Sequence, residues 1–393
     1  MKSKICVIGA GTAGIVSVLS VLNSAKRNKV DVQVTCMYDP SVPTVQVGES
    51  TSSPILTLLT DLIGFRVLKD LESIDGTLKY GSKYVNWSDK DFFVHHQQPA
   101  IHLNSAKFSF WVLEKLLEKF PNTFTSVHDN VLSLDTVDDQ AVIKGNNATY
   151  VYDYVIDCRG FPSKEQLKSD TYQEPKFTSV NSVIIYPEFE KYDEMYTTAQ
   201  AHKNGWMFQI PLTFRKAFGY LYNNNITSEQ QATDDFLKIK PNVDITKTRK
   251  LSWTSFYRNT AVDGRILYSG NKLFFFEPSQ GFPLHYYAVF ADYFVYCIST
   301  KCNISEEVNY YYQDVLSDIQ DVIAMTYQAD VNFDSKFWQY ANQQSYKRLN
   351  SSKKFLDWCN DYNSKTHFAS HSNEIMFSLI EGMNIDLTKF RNT

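Results

Sequence analysis

The chain has 393 residues and a formal net charge of −4, which gives no case for a nucleic-acid partner because such proteins carry a concentrated basic face. Its hydrophobic content of 43% is ordinary for a globular protein, whereas its aromatic content of 15% is high and suits large flat ligands as well as core packing. No apolar run approaches the roughly 18 to 20 residues that span a bilayer, so we expect no membrane association.

The six cysteines are scattered along the chain, and no two of them form a CxxC pair. Cys6, Cys36 and Cys158 each lie in an apolar strand pattern, where a free thiol behaves as a small hydrophobic group. This distribution is typical of a reducing compartment. The first predicted strand begins almost at once, with no signal peptide before it. We therefore expect a cytoplasmic protein.

The first half of the chain alternates predicted strands and helices. Residues 4–25, "KICVIGAGTAGIVSVLSVLNSA", predict a strand, a glycine turn and a helix, and residues 31–42 predict a second strand that ends in an acid. This alternation is the βαβ pattern of a parallel sheet. Helices are predicted at residues 53–63 and 108–120, and one buried strand at residues 150–162 leads into a glycine turn.

The second half of the chain changes its pattern twice. Residues 170–260 are rich in strand patterns, residues 265–298 return to strand, glycine turn and helix, and helical spacing begins after residue 303. The apolar stripe of this last region comprises Val308, Tyr312, Val315, Ile319 and Val322.

These elements predict an α/β fold, α+β overall, in which a mostly antiparallel sheet interrupts a Rossmann-like module with a parallel sheet. We expect the dinucleotide-binding module at residues 1–165 and 260–303, the substrate-facing sheet at residues 166–259, and a helical C-terminal region at residues 304–393. The same layout recurs in flavoprotein monooxygenases, which is an analogy at the level of the fold.

A glycine-rich motif, GxGxxG, directly follows the first predicted strand and opens the first predicted helix. Gly9 permits the tight turn, Gly11 lets the backbone approach a pyrophosphate, and Gly14 lets helix and strand pack closely. The N-terminus of the helix adds unpaired amides and a positive dipole for the anion. We therefore predict a dinucleotide site, against the alternative of a glycine turn without a ligand. Its residues are Gly9, Ala10, Gly11, Thr12, Ala13 and Gly14.

The partner of the cofactor's ribose is ambiguous in the sequence. An acid about 20 residues after the glycine motif usually binds the ribose. Asp39 is the nearest acid, but Tyr38 competes with it for the position at the strand end. Glu49 and Ser50 offer a further set of polar groups after the second strand.

Two more residues have both a cofactor-binding and a structural interpretation. Val127 lies before a predicted adenine-side strand, where it is either a flavin contact or plain core. In "DCRGF", Cys158 beside Arg159 could suggest a reactive thiol, but Gly160 in a cofactor-binding turn fits the strand end better. Because GxGxxG occurs only once, a second site for NAD(P)H is unsupported, and we expect the cofactor to be reduced elsewhere.

Residues 76–87, "GTLKYGSKYVNW", predict a strand with two lysines on one face. Period-two alternation places Lys79 and Lys83 on the same side as Trp87. Such a face is either solvated, as most lysines are, or holds one lysine as a catalyst in a pocket.

Two histidine pairs could suggest a metal site. They are His95–His96 and His367/His371, and neither pair has a convincing third ligand. Surface or capping roles explain these histidines better, so we predict no metal site.

Several segments together resemble the flavin-dependent halogenases, the branch that includes the tryptophan halogenases. They run in family order over most of the chain, and "VPTVQVGES" and "FFFEP" are more specific than GxGxxG. The matching segments are "VIGAGTAG" (7–14), "VPTVQVGEST" (42–51), "TLKYGSKYVNW" (77–87), "HLNSAKF" (102–108), "VIDCRGF" (155–161), "GWMFQIPL" (205–212) and "SGNKLFFFEPSQG" (269–281).

The resemblance implies an enzyme in which reduced FAD and oxygen convert halide into hypohalous acid, which a lysine presents to an aromatic ring. The family's lysine falls on Lys79, whereas Lys83 has no such match. An ammonium can hydrogen-bond hypohalous acid, or a neutral amine can form a haloamine. The resemblance further implies FAD, supplied as FADH2 by a separate flavin reductase, a halide ion and a small aromatic substrate. The sequence leaves open whether the protein forms a homo-oligomer.

The family's WxWxIP motif falls on residues 206–211, where the second tryptophan is a phenylalanine. The resemblance implies that this stretch shields the flavin from ordinary monooxygenation or contacts substrate, and an aromatic core strand is the alternative. Its residues are Trp206, Phe208, Ile210 and Pro211.

The clearest departure from the family is at "EPSQG", where the tryptophan branch has a longer EPLESTG-like loop. Glu277 matches the first glutamate of that loop, two residues are missing, and no second glutamate remains to assist the lysine. The resemblance places Gln280 and Gly281 at the halide-holding positions and Phe282 near the flavin. Without an assisting acid, activation must come from the substrate, which favours phenols and other electron-rich rings.

The chain is also shorter than the tryptophan halogenases beyond this loop, which suggests an open site, a broad substrate range and a preference for bromide or iodide. Three functions are compatible with these features. The first is a halogenase, the second an aromatic monooxygenase that hydroxylates without halide, and the third a non-catalytic FAD-binding protein. The mass of the product, with and without halide, distinguishes them.

Overall fold

The computed structural model describes residues 2–43, 48–279, 281–361, 368 and 372–391. Helices pack on two large sheets, one mainly parallel and one mainly antiparallel. The predicted class, α/β and α+β overall, is therefore confirmed.

The elements have the following bounds in chain order. The strands are β1 (Ser3–Ile8), β2 (Val32–Tyr38), β3 (Gly48–Ser50), β4 (Thr77–Val85), β5 (Phe92–Asn104), β6 (Phe124–His128), β7 (Val131–Val137), β8 (Gln140–Gly145), β9 (Thr149–Tyr152), β10 (Tyr154–Asp157), β11 (Tyr172–Gln173), β12 (Ser182–Glu188), β13 (Thr197–His202), β14 (Gly205–Pro211), β15 (Lys216–Tyr222), β16 (Arg249–Ser252), β17 (Phe256–Arg258), β18 (Val262–Asp263), β19 (Ile266–Tyr268) and β20 (Phe274–Phe275). The α-helices are α1 (Thr12–Asn28), α2 (Ser53–Ile63), α3 (Val67–Asp70), α4 (Ser105–Lys119), α5 (Lys164–Leu167), α6 (Glu229–Ile239), α7 (Phe282–Thr300), α8 (Ile304–Thr326), α9 (Lys336–Asn350), α10 (Lys353–Asn360) and α11 (Asn373–Gly382).

The six-stranded sheet has the order β18-β19-β10-β1-β2-β6, and every pair except β18–β19 is parallel. Its central strand β1 is buried on both faces, as the continuous apolar run predicts. Ile5 and Val7 pack in the core with α1 and α7, while Cys6 packs on the other face with strand β8. Chain order reverses at β1, so the carboxyl end of β1 opens a crevice of the kind that binds nucleotides.

The eight-stranded sheet has the order β16-β12-β15-β14-β13-β4-β5-β3. Only the β4–β13 pair is parallel among these strands. Strands β3, β4 and β5 come from residues 48–104, a stretch that the predicted division of the chain gave to the dinucleotide-binding module. The sheet also curves enough for its edge strand β3 to contact β14.

The prediction of one strand at residues 150–162 is wrong. The stretch forms β9, which joins β7 and β8 in a small antiparallel sheet, and β10, which joins the parallel sheet. Asp153 separates them because its backbone N–H donates to the carbonyl of Lys4 at 3.0 Å and its carboxylate accepts from the Lys4 N–H at 2.7 Å. The chain is thereby bent from one sheet into the other.

The predicted helices are confirmed, with one shifted boundary. The helix predicted at 53–63 is α2, and the one predicted at 108–120 is α4, which begins earlier because the Asn104 side chain caps it by accepting from the N–H groups of Ala106 and Lys107. The apolar stripe predicted for the C-terminal region is fully or almost fully buried along α8. Asp321 of this helix is buried too, and it accepts from Arg348 Nε at 2.8 Å, which ties α8 to α9.

All six cysteines lie in the described part of the chain, and none forms a disulfide. Among the helices described, none is long and apolar enough to cross a membrane.

Candidate functional site

The glycine-rich turn lies at the carboxyl end of β1, and two of its glycines are required by packing. Gly9 has a φ of +101°, and a Cβ there would lie 2.9 Å from the carbonyl oxygen of Cys158. A Cβ on Gly14 would lie 1.8 Å from the carbonyl oxygen of Gly9. The tight turn and the close approach of α1 to β1 therefore both depend on the missing side chains.

Two other glycines at this edge face open space. A Cβ on Gly11 or on Gly160 would meet no protein atom within 4 Å. Gly11 is the N-cap residue of α1, and it supplies no side chain that could occupy the first amides of the helix. We call these four glycines, Gly9, Gly11, Gly14 and Gly160, the glycine edge. Thr12 and the two alanines, Ala10 and Ala13, complete the turn, and both alanines pack partly against the core.

The predicted ribose partners lie at the ends of neighbouring strands. The Asp39 carboxylate accepts from the N–H of Ser41 at 2.8 Å and from its hydroxyl at 2.6 Å, and these bonds lower the pKa of Asp39. The Tyr38 hydroxyl lies 2.9 Å from Nε2 of His128. Val127 is half-buried opposite Met37 and packs on the core under β8. The cofactor-binding roles of Tyr38, Asp39 and Val127 stay predictions.

Strand β3 connects the glycine edge with the mixed sheet. The hydroxyl of Thr12 donates to Oε1 of Glu49 at 3.2 Å, and burial raises the pKa of Glu49 to about 7. The next residue, Ser50, accepts a hydrogen bond from Nζ of Lys79 at 2.7 Å. Neighbouring residues of one strand thus touch the first turn of α1 and the predicted catalytic lysine.

Lys79 is buried, with only 3% of its surface exposed. Burial lowers the pKa of its ammonium to about 8, because the charged form loses its hydration. Within the described part of the chain it forms no salt bridge with a carboxylate. Lys83 on the same strand differs in every respect, since its side chain is 41% exposed and its Nζ lies 3.8 Å from Asp91. The two lysines that alternation places on one face therefore have different environments.

Lys79 belongs to a set of hydrogen-bonded side chains that we call the lysine pocket. Beyond Ser50, Thr197 lies 3.5 Å from the Ser50 hydroxyl and 2.8 Å from Nε2 of His102. His102 is fully buried, and its Nδ1 lies 2.9 Å from the hydroxyl of Thr77, which donates to the carbonyl oxygen of Pro211 at 2.8 Å. The pocket comprises Ser50, Thr77, Lys79, His102 and Thr197.

Sequence reasoning missed Thr77, His102 and Thr197 as members of this pocket. Thr77 lies two residues before Lys79 on the same strand face, and His102 opens the quoted segment "HLNSAKF", so both carried a signal. His102 stands opposite Thr77 on one side and Ser50 on the other, because β5 lies between β4 and β3. Thr197 carried none, since only the β4–β13 pairing brings it near.

An irregularity in β5 lies beside Lys79. Lys79 pairs with Ala100, but Gly81 already pairs with His95, so the intervening residues of β5 bulge out of the ladder. His96 lies half-buried in this bulge. Burial, and next the charge of Lys79, lower its pKa to about 4, so the His96 ring is neutral near pH 7.

The loop that begins at Glu277 ends at Gly281, which lies close to Ser50 of the lysine pocket. Gly281 has a φ of +70°, and a Cβ there would lie 3.1 Å from the carbonyl oxygen of Ser50. Gly281 precedes α7, which begins at Phe282. Gln280, the other predicted halide-holding residue, lies outside the described residues.

Glu277 itself is buried away from Lys79. Its carboxyl accepts from the hydroxyl of Ser179 and, at 3.1 Å, from that of Tyr327, and burial raises its pKa to about 7. The hydrogen-bond partners of Glu277 are therefore Ser179 and Tyr327, and not Lys79.

Comparison with known proteins identifies the family. The model of the tryptophan halogenase family matches residues 4–136 and 98–387. The chain belongs to the tryptophan halogenase family. It is 21% identical to the tryptophan 7-halogenase RebH of Lentzea aerocolonigenes, over 60% of this chain and 58% of RebH. The predicted membership is therefore confirmed.

Solved structures of halogenases share the fold of this family member. A tryptophan halogenase from Shewanella frigidimarina superposes with a TM-score of 0.82 at 18% identity, over 98% of this chain and 89% of that one. BrvH, a flavin-dependent halogenase from Brevundimonas sp., superposes with a TM-score of 0.79 at 14% identity, over 98% and 90%. At these identities the likeness shows the common fold.

The stretch that matches the family's WxWxIP motif forms β14. Trp206 is buried, and its indole N–H donates to the hydroxyl of Tyr327 at 2.8 Å, so it lies in the aromatic core. Phe208 is half-buried, with its ring against the backbone of Gly219. Ile210 and Pro211 are buried as well. Their predicted flavin-shielding or substrate role stays a prediction.

The remaining candidates in this family member concern thiols and metals. Burial raises the pKa of Cys158 to about 12, so this thiol is protonated near neutral pH. Arg159 donates to the buried carboxylate of Asp157 at 2.9 and 2.8 Å instead of activating it. Across the described ranges, no group of three or more His, Cys, Asp or Glu side chains could hold a metal ion. His367 and His371 lie outside those ranges.

Proposed function

We propose that the protein is a flavin-dependent halogenase that uses FADH2, O2 and halide to halogenate electron-rich aromatic or heteroaromatic small molecules through Lys79. One observation carries this proposal. A buried lysine with a lowered pKa lies one hydrogen bond away from the strand that also contacts the first turn of the glycine-motif helix. A lysine is rarely buried without a carboxylate partner unless its chemistry is used.

The glycine edge fits a flavin dinucleotide. Gly11 and Gly160 leave room for backbone contact with a ligand, and α1 presents uncapped amides to a pyrophosphate. When bound, reduced FAD supplies the two electrons with which O2 oxidises halide to hypohalous acid and water. Because the sequence has one dinucleotide motif, a separate flavin reductase would supply FADH2 through transient contact. Glu49 and Ser50 would border the flavin, as would Gly281 and Phe282.

Lys79 would present the electrophilic halogen. With its pKa near 8, roughly a tenth of the side chains is neutral at pH 7 and the rest is ammonium. The ammonium would donate a hydrogen bond to the oxygen of hypohalous acid. The neutral amine would instead form an N–X bond, and water would leave with the amine proton. Either species places the halogen beside the ring, and the ring proton departs when the C–X bond forms.

The halide would be held at Gln280 and Gly281. A Cβ on Gly281 would lie 3.1 Å from the carbonyl oxygen of Ser50. The loop carries no second glutamate to polarise the lysine or to accept a proton from the substrate. Phenols, indoles and pyrroles would therefore be the substrates, with a broad range among them. Bromide and iodide would be preferred to chloride because they oxidise more readily.

The proposal is tested by incubating the protein with a flavin reductase, FAD, NADH and bromide over a panel of phenols, indoles and pyrroles. We expect products with the bromine isotope doublet. Lys79→Ala should lose them while retaining FAD binding, and Lys83→Ala is the matched control that should keep them. Hydroxylated products without halide would establish a monooxygenase instead, and FAD binding without any product would establish a non-catalytic protein.

Halide preference is measured separately by competition. Equal concentrations of chloride, bromide and iodide are offered with a limiting amount of one phenol. A brominated or iodinated product should lead, and a leading chlorinated product would refute the preference.

A further inference from the structure

We propose that Arg215 binds the anionic edge of the reduced flavin, formed by ring atom N1 and the neighbouring C2 carbonyl, and thereby favours the reduced over the oxidised cofactor. The inference rests on the proposed function, because it takes FAD as the cofactor. Arg215 belongs neither to the glycine edge nor to the lysine pocket, so it adds a further binding residue to the site.

The guanidinium of Arg215 has two buried N–H groups without a partner. Its Nε and Nη2 atoms are shielded from solvent, and neither of them donates to any residue that the structure describes. Charged donors that lose their hydration without gaining an acceptor are costly, so such groups in a native protein call for an explanation. These two N–H groups lie on one edge of the planar guanidinium, the edge that can bind two neighbouring acceptors of an anion at once.

Two other arginines of the chain show what this edge binds. Nε and Nη2 of Arg159 donate to the two carboxylate oxygens of Asp157 at 2.9 and 2.8 Å. Arg265 uses the same two atoms for the carboxylate of Asp139. Arg215 presents the same edge, and within the described ranges no carboxylate forms an ion pair with it. Its ligand should therefore be a planar anion with two adjacent acceptors.

Strand pairing places Arg215 on the sheet face that carries predicted flavin-shielding residues. Ile210 of β14 stands opposite Ala217 of β15. Beyond this pair, the N–H of Leu212 donates to the carbonyl of Arg215 at 2.7 Å, so these two residues face each other across the hairpin turn. Opposite residues of an antiparallel pair share a face, and faces alternate along each strand. Arg215 therefore lies on the face of Ile210 and Phe208.

The next residue shows that this is not a general property of the hairpin. Lys216 stands on the opposite face, where it forms an ion pair with Glu194 and lies 4.2 Å from the ring centroid of Tyr192. Asp75, an acid beside the hairpin turn, accepts a backbone N–H of that turn at 3.3 Å and forms no ion pair with Arg215. Of the two cations in the hairpin, one is paired and the other is not.

The reduced flavin offers the anion that matches. The pyrophosphate of FAD is assigned to the glycine edge, and a halide is a single atom. The flavin hydroquinone loses the N1 proton near neutral pH, and its charge is then shared between N1 and the C2 carbonyl oxygen, which lie side by side in the ring plane. A cation at this edge stabilises the charged, reduced ring more than the neutral, oxidised ring and so raises the reduction potential. Arg215 would thus help the protein to capture FADH2 from the reductase in preference to FAD.

The decisive experiment compares the affinities of wild type and Arg215→Met for FAD and for FADH2, without oxygen, halide or substrate, at a pH slightly above neutral. We expect the affinity for FADH2 to fall about tenfold and that for FAD by less than about twofold. The midpoint potential of the bound flavin should then fall by about 30 mV, since tenfold corresponds to that shift in a two-electron couple. Arg249→Met, at an exposed arginine of β16, is the control that should change neither.

Equal weakening of both oxidation states would overturn the proposal, because Arg215 would then bind a phosphate of the cofactor. Unchanged affinities would overturn it as well, and would favour a carboxylate of the substrate as the ligand. Neither readout needs turnover. If the wild type binds flavin but forms no halogenated product, the proposed function fails and this inference can still hold, whereas a wild type that binds no flavin refutes both.

A second measurement tests whether the guanidinium is merely structural. In the flavin-free protein, Arg215→Met should raise the urea midpoint, because it removes buried charged donors that have no acceptor. A lower midpoint would show that the side chain has a structural partner and would contradict the inference. If Arg215→Met fails to fold, Arg215→Lys carries the comparison. It keeps the charge but lacks the two-point edge, so it should show a smaller loss that still falls on FADH2 rather than on FAD.

Discussion

At the glycine edge the site consists of backbone from β1, α1 and the end of β10, whereas the lysine pocket consists of side chains from four strands. The first depends on what is missing, since a Cβ at Gly14 would lie 1.8 Å from a carbonyl oxygen. The second depends on what is buried, since Lys79 is held in a pocket that lowers its pKa. We therefore expect residues at the glycine edge to serve both stability and binding, and Lys79 to reduce stability at neutral pH.

Substituting two glycines of the same turn separates stability from binding. Gly14→Ala should destabilise the protein by about 3 kcal/mol, because α1 must move away from β1 to admit a methyl group. Gly11→Ala should leave stability unchanged, since its Cβ would lie in open space, but should weaken FAD binding about tenfold. Urea denaturation and flavin fluorescence titration measure the two effects. Equal stability of the two variants would contradict the assignment of Gly14 to packing and of Gly11 to ligand binding.

A substitution in the lysine pocket should change stability in the opposite direction. We expect Lys79→Met to stabilise the protein by about 2 kcal/mol at pH 7, although it removes the proposed catalytic group. The pKa of Lys79 is about 8 in the folded protein, against 10.5 for an unperturbed lysine. Between these values the unfolded chain binds more protons, so wild-type stability rises with pH, and below them the full cost of the buried ammonium is present.

The advantage of Lys79→Met should therefore shrink as the pH rises from 8 toward 10.5. Urea denaturation at several pH values measures it, with the exposed Lys83→Met as the control that should change little. A Lys79→Met variant that is less stable than wild type at pH 7 would show that the pocket stabilises the ammonium.

The same contrast explains how far the sequence predicts this molecule. The glycine motif, the βαβ pattern and the α8 stripe are local, so spacing alone places them. The catalytic role of Lys79 is predicted only through the resemblance, because alternation makes this residue equivalent to Lys83. Nothing local separates them: β5 and β3 cover Lys79, whereas Lys83 lies near the turn that holds Asp91. Long-range strand pairing decides which lysine is buried.

The composition of the lysine pocket was out of reach for the same reason. Ser50 and Thr197 are 147 residues apart in the chain, and only the order of β13, β4, β5 and β3 brings them together. The split of residues 150–162 into two strands also depends on a distant partner, Lys4. Single-sequence patterns carry no information on such pairs.

The smallest expected effect on stability comes from Glu277, a buried carboxyl outside both sites. Its pH dependence should have the opposite sign to that of Lys79. Glu277 has its pKa raised to about 7 by burial, so the unfolded chain releases this proton at a lower pH than the folded protein does. Its contribution to the stability of the folded protein is present below about pH 4.5 and is lost as the pH rises through 7, which is the reverse of the trend for Lys79.

Glu277→Gln keeps an oxygen that can accept from Ser179 and Tyr327 but does not ionise. It should gain about 1 kcal/mol over wild type between pH 4 and pH 8 in urea denaturation. Glu49, whose pKa is raised similarly, is present in both proteins and cancels from the difference. A difference that stays constant over this range would mean that Glu277 ionises without cost.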